Sequence, residues 1–167
     1  MRMLSLSRVK PSPIDAFGGS WTLESQDGHE ALLEAMELPW YLRKAASSAR
    51  SPDVTIEKDE DGLLHSHAGP VFGRYIHEVF KEGGSDRQRA PSGAMTTISY
   101  AWDGNVLTST VTTDDQPDRS HNRRWVVDAA AQGGGGPKRM VVTNDFTKRA
   151  EAASVRYTRV YVPLPAS

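Results

Sequence analysis

Beyond Pro52 the sequence holds no helical segment, only short runs of alternating apolar and polar residues broken by turn signals. An alternating run has one apolar face and must bury it against another layer or against the far side of its own sheet. The runs fall at 54–57, 63–68, 72–80, 87–89 (the weakest), 95–102, 106–112, 121–127, 140–146 and 155–162. An alternating stretch at 20–24 brings the count to ten. Glu60-Asp61-Gly62 and Gly83-Gly84 punctuate the runs, and Asp103-Gly104-Asn105 is a strong hairpin signal. Consecutive short strands joined by hairpins favour an antiparallel up-and-down meander. Closing that meander into a barrel would remove both sheet edges. Ten strands make a barrel wide enough to hold a ligand as well as side chains. The expected fold class is therefore all-β with a small helical lid: a ten-stranded antiparallel up-and-down β-barrel.

The helices lie between the first two strands. Leu32, Leu33, Met36 and Leu38 recur at helical spacing until Pro39 cuts the pattern. Two short helices are expected, over 29–37 and 40–48, with Asp27 as cap of the first and Glu30 three positions on. This helix-turn-helix would cap one mouth of the barrel. Residues 1–14 carry Arg2, Arg8 and Lys10, no acid and two prolines. They read as a flexible basic arm, leaving 15–167 as the barrel domain. Gly133–Gly136 reads as a hairpin tip, since it opens no helix and so makes no phosphate-binding loop.

Composition narrows the function classes. No apolar run approaches the ~18 residues of a membrane helix. There is no cysteine, which excludes disulfides, thiolate metal sites and cysteine nucleophiles. Twenty Lys+Arg against 21 Asp+Glu give a net charge of −1, without the basic footprint of a nucleic-acid binder. Only 38% of residues are apolar, and the mean hydropathy is −0.52. Such a chain tolerates a wet or partly polar interior. Of the five histidines, His65 and His67 share one side of a strand. With no third ligand following nearby, the plainer reading is an exposed or lumen-facing pair, and no metal site is assigned.

The last strand carries the chemistry. One of its faces bears Val155, Tyr157, Arg159 and Tyr161, the other Arg156, Thr158, Val160 and Val162. Parity alone leaves both orientations open. If the aromatic face looks inward, Arg159 is inside and needs an acceptor, from the protein or a ligand. The planar donor fork of arginine suits a carboxylate, and the Tyr161 hydroxyl can donate to the same group.

Several segments resemble the intracellular lipid-binding proteins of the calycin superfamily, which include fatty acid-binding and cellular retinoid-binding proteins. Asp15–Ser25, DAFGGSWTLES, is similar to their opening strand, with Phe17, Gly19 and Trp21 in place. Arg43 stands where their second helix often has arginine. Phe80-Lys81-Glu82-Gly83 resembles F-K-x-G, Arg124-Trp125-Val126-Val127-Asp128 resembles R-x-x-x-D, and Thr158-Arg159-Val160-Tyr161 resembles the closing T-R-x-Y. The resemblance implies a cavity in which Arg124, Arg159 and Tyr161 hold a fatty-acid carboxylate. It also implies a portal at the helix pair, with Leu33, Met36, Leu38 and Trp40 contributing apolar surface and Phe72 at the facing turn. Arg123 and Arg124 are adjacent, so a slip of one residue exchanges their faces. The sequence departs from the family in its longer N-terminal arm, in the insertion AAAQGGGGPKR, and in His29, which stands where many members have a portal phenylalanine. His29 places a titratable group at the entrance, a candidate modulator of anionic lipid binding.

The expected function is non-enzymatic carriage of a long-chain fatty acid or similar apolar carboxylate, without cofactor or metal. The resemblance further implies a cytoplasmic monomer, with the helical lid a candidate for transient membrane contact. Two alternatives stand beside it. One is a retinoid or pigment binder. The other is an isomerase or oxygenase on the same barrel, drawing acid–base groups from His65, His67, His77 and His121.

Overall fold

The computed structural model describes residues 13–71, 74–89, 94–128, 133, 136–149 and 153–165. After a 3-10 turn, Pro13–Phe17, come β1 (Gly19–Asp27), α1 (His29–Ala35) and α2 (Trp40–Ser48). The strands β2 (Val54–Lys58), β3 (Leu64–Val71), β4 (Arg74–Phe80), β5 (Ser85–Arg89) and β6 (Met95–Asp103) follow. Then come β7 (Val106–Thr113), β8 (Gln116–Val127), β9 (Arg139–Thr147) and β10 (Val155–Pro163). All ten strands form one antiparallel sheet in the order β4-β3-β2-β1-β10-β9-β8-β7-β6-β5. Strands adjacent in sequence pair with each other, except β4 with β5. The first strand pairs with the last, Trp21 opposite Pro163 and Asp27 opposite Thr158. That pairing curls the meander into a barrel.

The closure is incomplete. β4 and β5 are the two ends of the sheet and are not hydrogen-bonded to each other. Side chains of β4 nevertheless line the same cavity as those of β6 to β10, so the sheet wraps around a shared interior. The expected loss of both edges does not occur, because the chain turns from β4 to β5 without laddering them. Asp103 pairs with Val106 across a two-residue turn at Gly104-Asn105, with Gly104 at φ +58°. This is the tight hairpin expected from those residues.

The two barrel ends are sealed differently. At one end Phe17 and Trp21 are almost fully buried, and the Trp21 indole donates to the Phe17 carbonyl at 2.9 Å. Phe17 meets Trp102 edge-to-face at 5.7 Å. This aromatic plug joins Ile56, Leu64, Leu107 and Met140 in the core. At the other end lie the helices, beside the start of β10. The Tyr157 hydroxyl donates to Gln26 at 2.7 Å, and Arg50, just after α2, donates to the Leu23 carbonyl at 3.0 Å. Glu37, between the helices, pairs with Lys148 and Arg149 beyond β9.

Two details of the helix pair depart from expectation. The first helix ends at Ala35, with Met36 as its C-cap and Glu37 at φ +51°. The chain must leave the helical region before Leu38, which precedes proline. Asp27 does not cap the helix: it ends β1, and the N-cap is Gly28, without a side-chain cap bond. Gly28 sits at φ +80°, and a Cβ there would lie 2.1 Å from the Arg156 carbonyl oxygen. Close approach of α1 to β10 excludes any side chain at that position. Within the flexible-arm segment, Pro13 and Ile14 belong to the 3-10 turn, while residues 1–12 lie outside the described region. The glycine-tract reading also falls largely outside it, only Gly133 and Gly136 being described.

Gly28→Ala is expected to destabilise the protein by more than the ~1–2 kcal/mol of left-handed strain alone, because backbone must also move. A thermal melt checks this; an unchanged Tm would contradict the close approach.

Candidate functional site: a polar cavity with two inward arginines

Register decides which side chains meet inside. Arg124 is opposite Val142, and Val142 is opposite Arg159. The two arginines therefore stand in one inward row, separated by one strand. An adjacent row runs Tyr100, Ser109, Asn122, Asn144, Tyr157 across β6 to β10. Arg124 faces in and its neighbour Arg123 faces out, where it acts on Asp145 together with His121. On β10, Tyr157 and Tyr161 are buried and Arg159 lines the cavity, so the aromatic face is the inner one.

The interior space has two compartments. The inner one, about 290 Å³, is lined by Glu78 and Phe80 of β4, by Tyr100, and by Asn122, Arg124, Asn144 and Arg159, with aliphatic residues between them. The outer one, about 280 Å³, lies under the helices against His29, Ala46, Pro52, Val54, Tyr157 and Tyr161. Both include Ile76 and Arg159, which mark their junction. Each volume is near the lower end of the ~300–1,000 Å³ usual for small-molecule sites.

Among the described residues, the buried side-chain polar atoms without a protein hydrogen-bond partner are Tyr100 Oη, Arg124 Nη1, Asn144 Oδ1 and Arg159 Nε. All four belong to residues lining the inner compartment. Burying such groups unpaired costs about 1–3 kcal/mol each, more for charged ones. The protein satisfies the guanidinium groups only in part. Arg124 lies over the Phe80 ring at 5.0 Å. Arg159 lies over Tyr157 at 5.2 Å and donates through Nη1 to the Tyr161 hydroxyl at 3.3 Å.

The charges explain why. Burial pushes the Arg124 pKa below the usual arginine value, the carboxylate of Glu78 opposes that shift, and Arg159 adds to it. Glu78 forms no ion pair within 4.0 Å with either arginine. The lining of the inner compartment thus holds two guanidinium groups and one carboxylate, an excess of one positive charge. Burial also pushes the Tyr100 phenol well above its usual range, so it stays a neutral donor.

The other expected site residues are more dispersed. Tyr161 is buried beside Arg159 and lines the outer compartment. His29 opens onto that compartment, its ring stacked on Tyr157 at 5.0 Å. Leu33 is buried, and with Trp40 it lines a groove between the helices. Trp40 is 71% exposed and Met36 44%. Phe72 lies outside the described residues. Tyr100, Asn122, Asn144 and Glu78 join the site without a motif in the sequence. Their one signal is inward parity on their strands, which becomes readable only once the register is known.

No protein-family profile matches the sequence, and none of the curated proteins does. Solved structures do match. The fatty acid transporter REP1-NXSQ superposes with a TM-score of 0.67 at 20% identity, over 90% of this chain and 97% of its own. Fatty-acid-binding protein 1 of Echinococcus granulosus gives 0.69 at 17%, over 90% and 98%. Human cRBP IV gives 0.63 at 16%, over 88% and 97%. At these identities the likeness is one of fold: a ten-stranded antiparallel barrel with a helix pair. No helix among the described residues is long and apolar enough to cross a membrane.

Replacing Arg124 by methionine is expected to raise the stability of the ligand-free protein by about 1–3 kcal/mol, since an incompletely paired buried charge gives way to an apolar side chain of similar length. Denaturant unfolding checks this. A clear loss of stability would show that Arg124 serves the fold.

Proposed function

We propose that this protein is a non-enzymatic carrier for a long-chain fatty acid or similar apolar carboxylate, held in the barrel with its head group at Arg124, Arg159 and Tyr161. The observation that carries the reading is the convergence of unpaired buried donors on one cavity with an excess positive charge. A carboxylate accepts from both guanidinium groups and from the Tyr100 hydroxyl, and it supplies the missing negative charge. Turning the Asn144 amide over offers a further donor. The alkyl chain would extend through the junction at Ile76 into the outer compartment, towards the helix pair. Each buried methylene adds about 0.8 kcal/mol, enough for a 16-carbon chain to offset ordering costs.

The printed names of two neighbours agree: a fatty acid transporter and a fatty-acid-binding protein share the fold. A retinol-like alcohol fits less well, because it would leave the guanidinium charge uncompensated. An enzyme using the histidines as acid–base groups is also disfavoured. His65, His67, His77 and His121 line neither compartment, and His121 contacts Thr110 at 3.2 Å. The exposed Trp40, Tyr41 and Leu42 at the start of α2 give the lid an apolar surface suited to transient membrane contact.

Arg124→Ala and Arg159→Ala are each expected to weaken fatty-acid binding by about 10–100-fold, the worth of a charge-assisted hydrogen bond, with a smaller effect on the matching fatty alcohol. Glu78→Gln is expected to tighten carboxylate binding by removing the competing charge. Fluorescent-fatty-acid displacement measures all three. Equal losses for acid and alcohol would refute carboxylate recognition.

A further inference from the structure

We propose that the outer face of β3 and β4 carries a binding site for a late first-row divalent cation such as Zn²⁺, formed by His65, His67 and His77. The site is separate from the lipid cavity. His65 and His67 point to the same side of β3 by parity, and His77 of β4 stands directly opposite His67 in the ladder. One nitrogen from each of the three imidazoles lies within 4.8 Å of the others. The third ligand that no sequence spacing supplied comes from the neighbouring strand.

Two further contacts suit metal binding. The His65 Nε2 lies 2.7 Å from Asp59 Oδ2, in the turn between β2 and β3. An Nε2–H donated to that carboxylate leaves the Nδ1 lone pair free for a cation. A carboxylate holding the far side of a ligating imidazole is the usual outer support of a histidine–zinc bond, fixing tautomer and ring orientation. Asp59 is itself held by the Leu63 amide at 2.8 Å. His65 Nδ1 already lies 3.0 Å from His77 Nε2, close to the ~3.3 Å between ligand atoms of a tetrahedral zinc with bonds near 2.05 Å.

The three rings are stacked, His67 on His77 at 4.4 Å and 6°. To converge on one ion, His67 and His77 must rotate out of the stack, and both are exposed enough to do so. Three imidazoles favour zinc, copper or nickel over magnesium or calcium, which prefer oxygen. Three protein ligands leave the fourth tetrahedral position to a ligand from outside the chain. A bound ion would also tie β3 to β4, the strand at the open end of the sheet. It would raise Tm in a concentration-dependent way, because the unfolded chain does not preassemble the ligands.

The test uses tag-free protein stripped with a chelator and titrated with Zn²⁺ by calorimetry. The expected result is one-to-one binding, lost in His65→Ala, His67→Ala and His77→Ala, weakened about tenfold or more in Asp59→Asn, and unchanged in His121→Ala. Histidine side-chain NMR of the wild type gives a readout that needs no variant. Zinc should shift His65, His67 and His77 and leave His29 and His121 in place. Absence of saturable binding, affinity retained in His67→Ala or His77→Ala, or shifts centred on other histidines would each overturn the proposal.

Discussion

Two arginine side chains inside a barrel set the terms for the rest of the structure. A guanidinium group cannot shed its charge under physiological conditions, so its burial must be compensated or left costly. Here compensation within the protein is partial. Phe80, Tyr157 and Tyr161 offer ring faces and one hydroxyl, and Glu78 offers a carboxylate at a distance. The inner row beside the arginines is polar as well, running Tyr100, Ser109, Asn122, Asn144 and Tyr157. The apolar core runs from the Phe17–Trp21–Trp102 end to Phe80, Ile98, Leu107 and Val142, which share the lining of the inner compartment with the arginines and asparagines, so an apolar end adjoins a cavity of mixed lining.

The low apolar content of the chain, 38%, acquires a specific meaning from this division. A single barrel closes at one end with buried aromatics and methionine, and devotes much of its remaining inner surface to groups that want a hydrogen-bonding partner. The pairing of β1 with β10 holds both functions in one sheet. It brings Trp21 opposite the end of β10, in the apolar plug, and Asp27 opposite Thr158, where the helices begin. Gly28 then lets the first helix press against β10 more closely than any other residue would permit.

How much was legible beforehand follows from how local each determinant is. Strand positions were readable because alternation and turn residues act over a few positions. The β6–β7 hairpin formed where Asp103-Gly104-Asn105 indicated it, and the second helix spans the expected 40–48. The first helix stops at Ala35, short of its apolar pattern, because its end depends on how the chain enters Pro39. Its N-cap is Gly28 and not Asp27, because the contact that demands glycine comes from Arg156, far along the chain. Tyr100, Asn144 and Glu78 carry no local signal for the same reason: each is unremarkable in its own strand and becomes part of a site only through its cross-strand neighbours.

Local periodicity and composition are enough to specify the strand count, the helix pair, the absence of cysteine chemistry and the sharing of one face of the last strand by arginine and tyrosine. The assembled sheet adds that this face looks inward, that Arg124 and not Arg123 shares a row with Arg159, and that His77 joins His65 and His67 on the outside. The difference lies in register. A shift of one residue in a β-ladder leaves local preferences untouched yet sends every side chain of a strand to the opposite face.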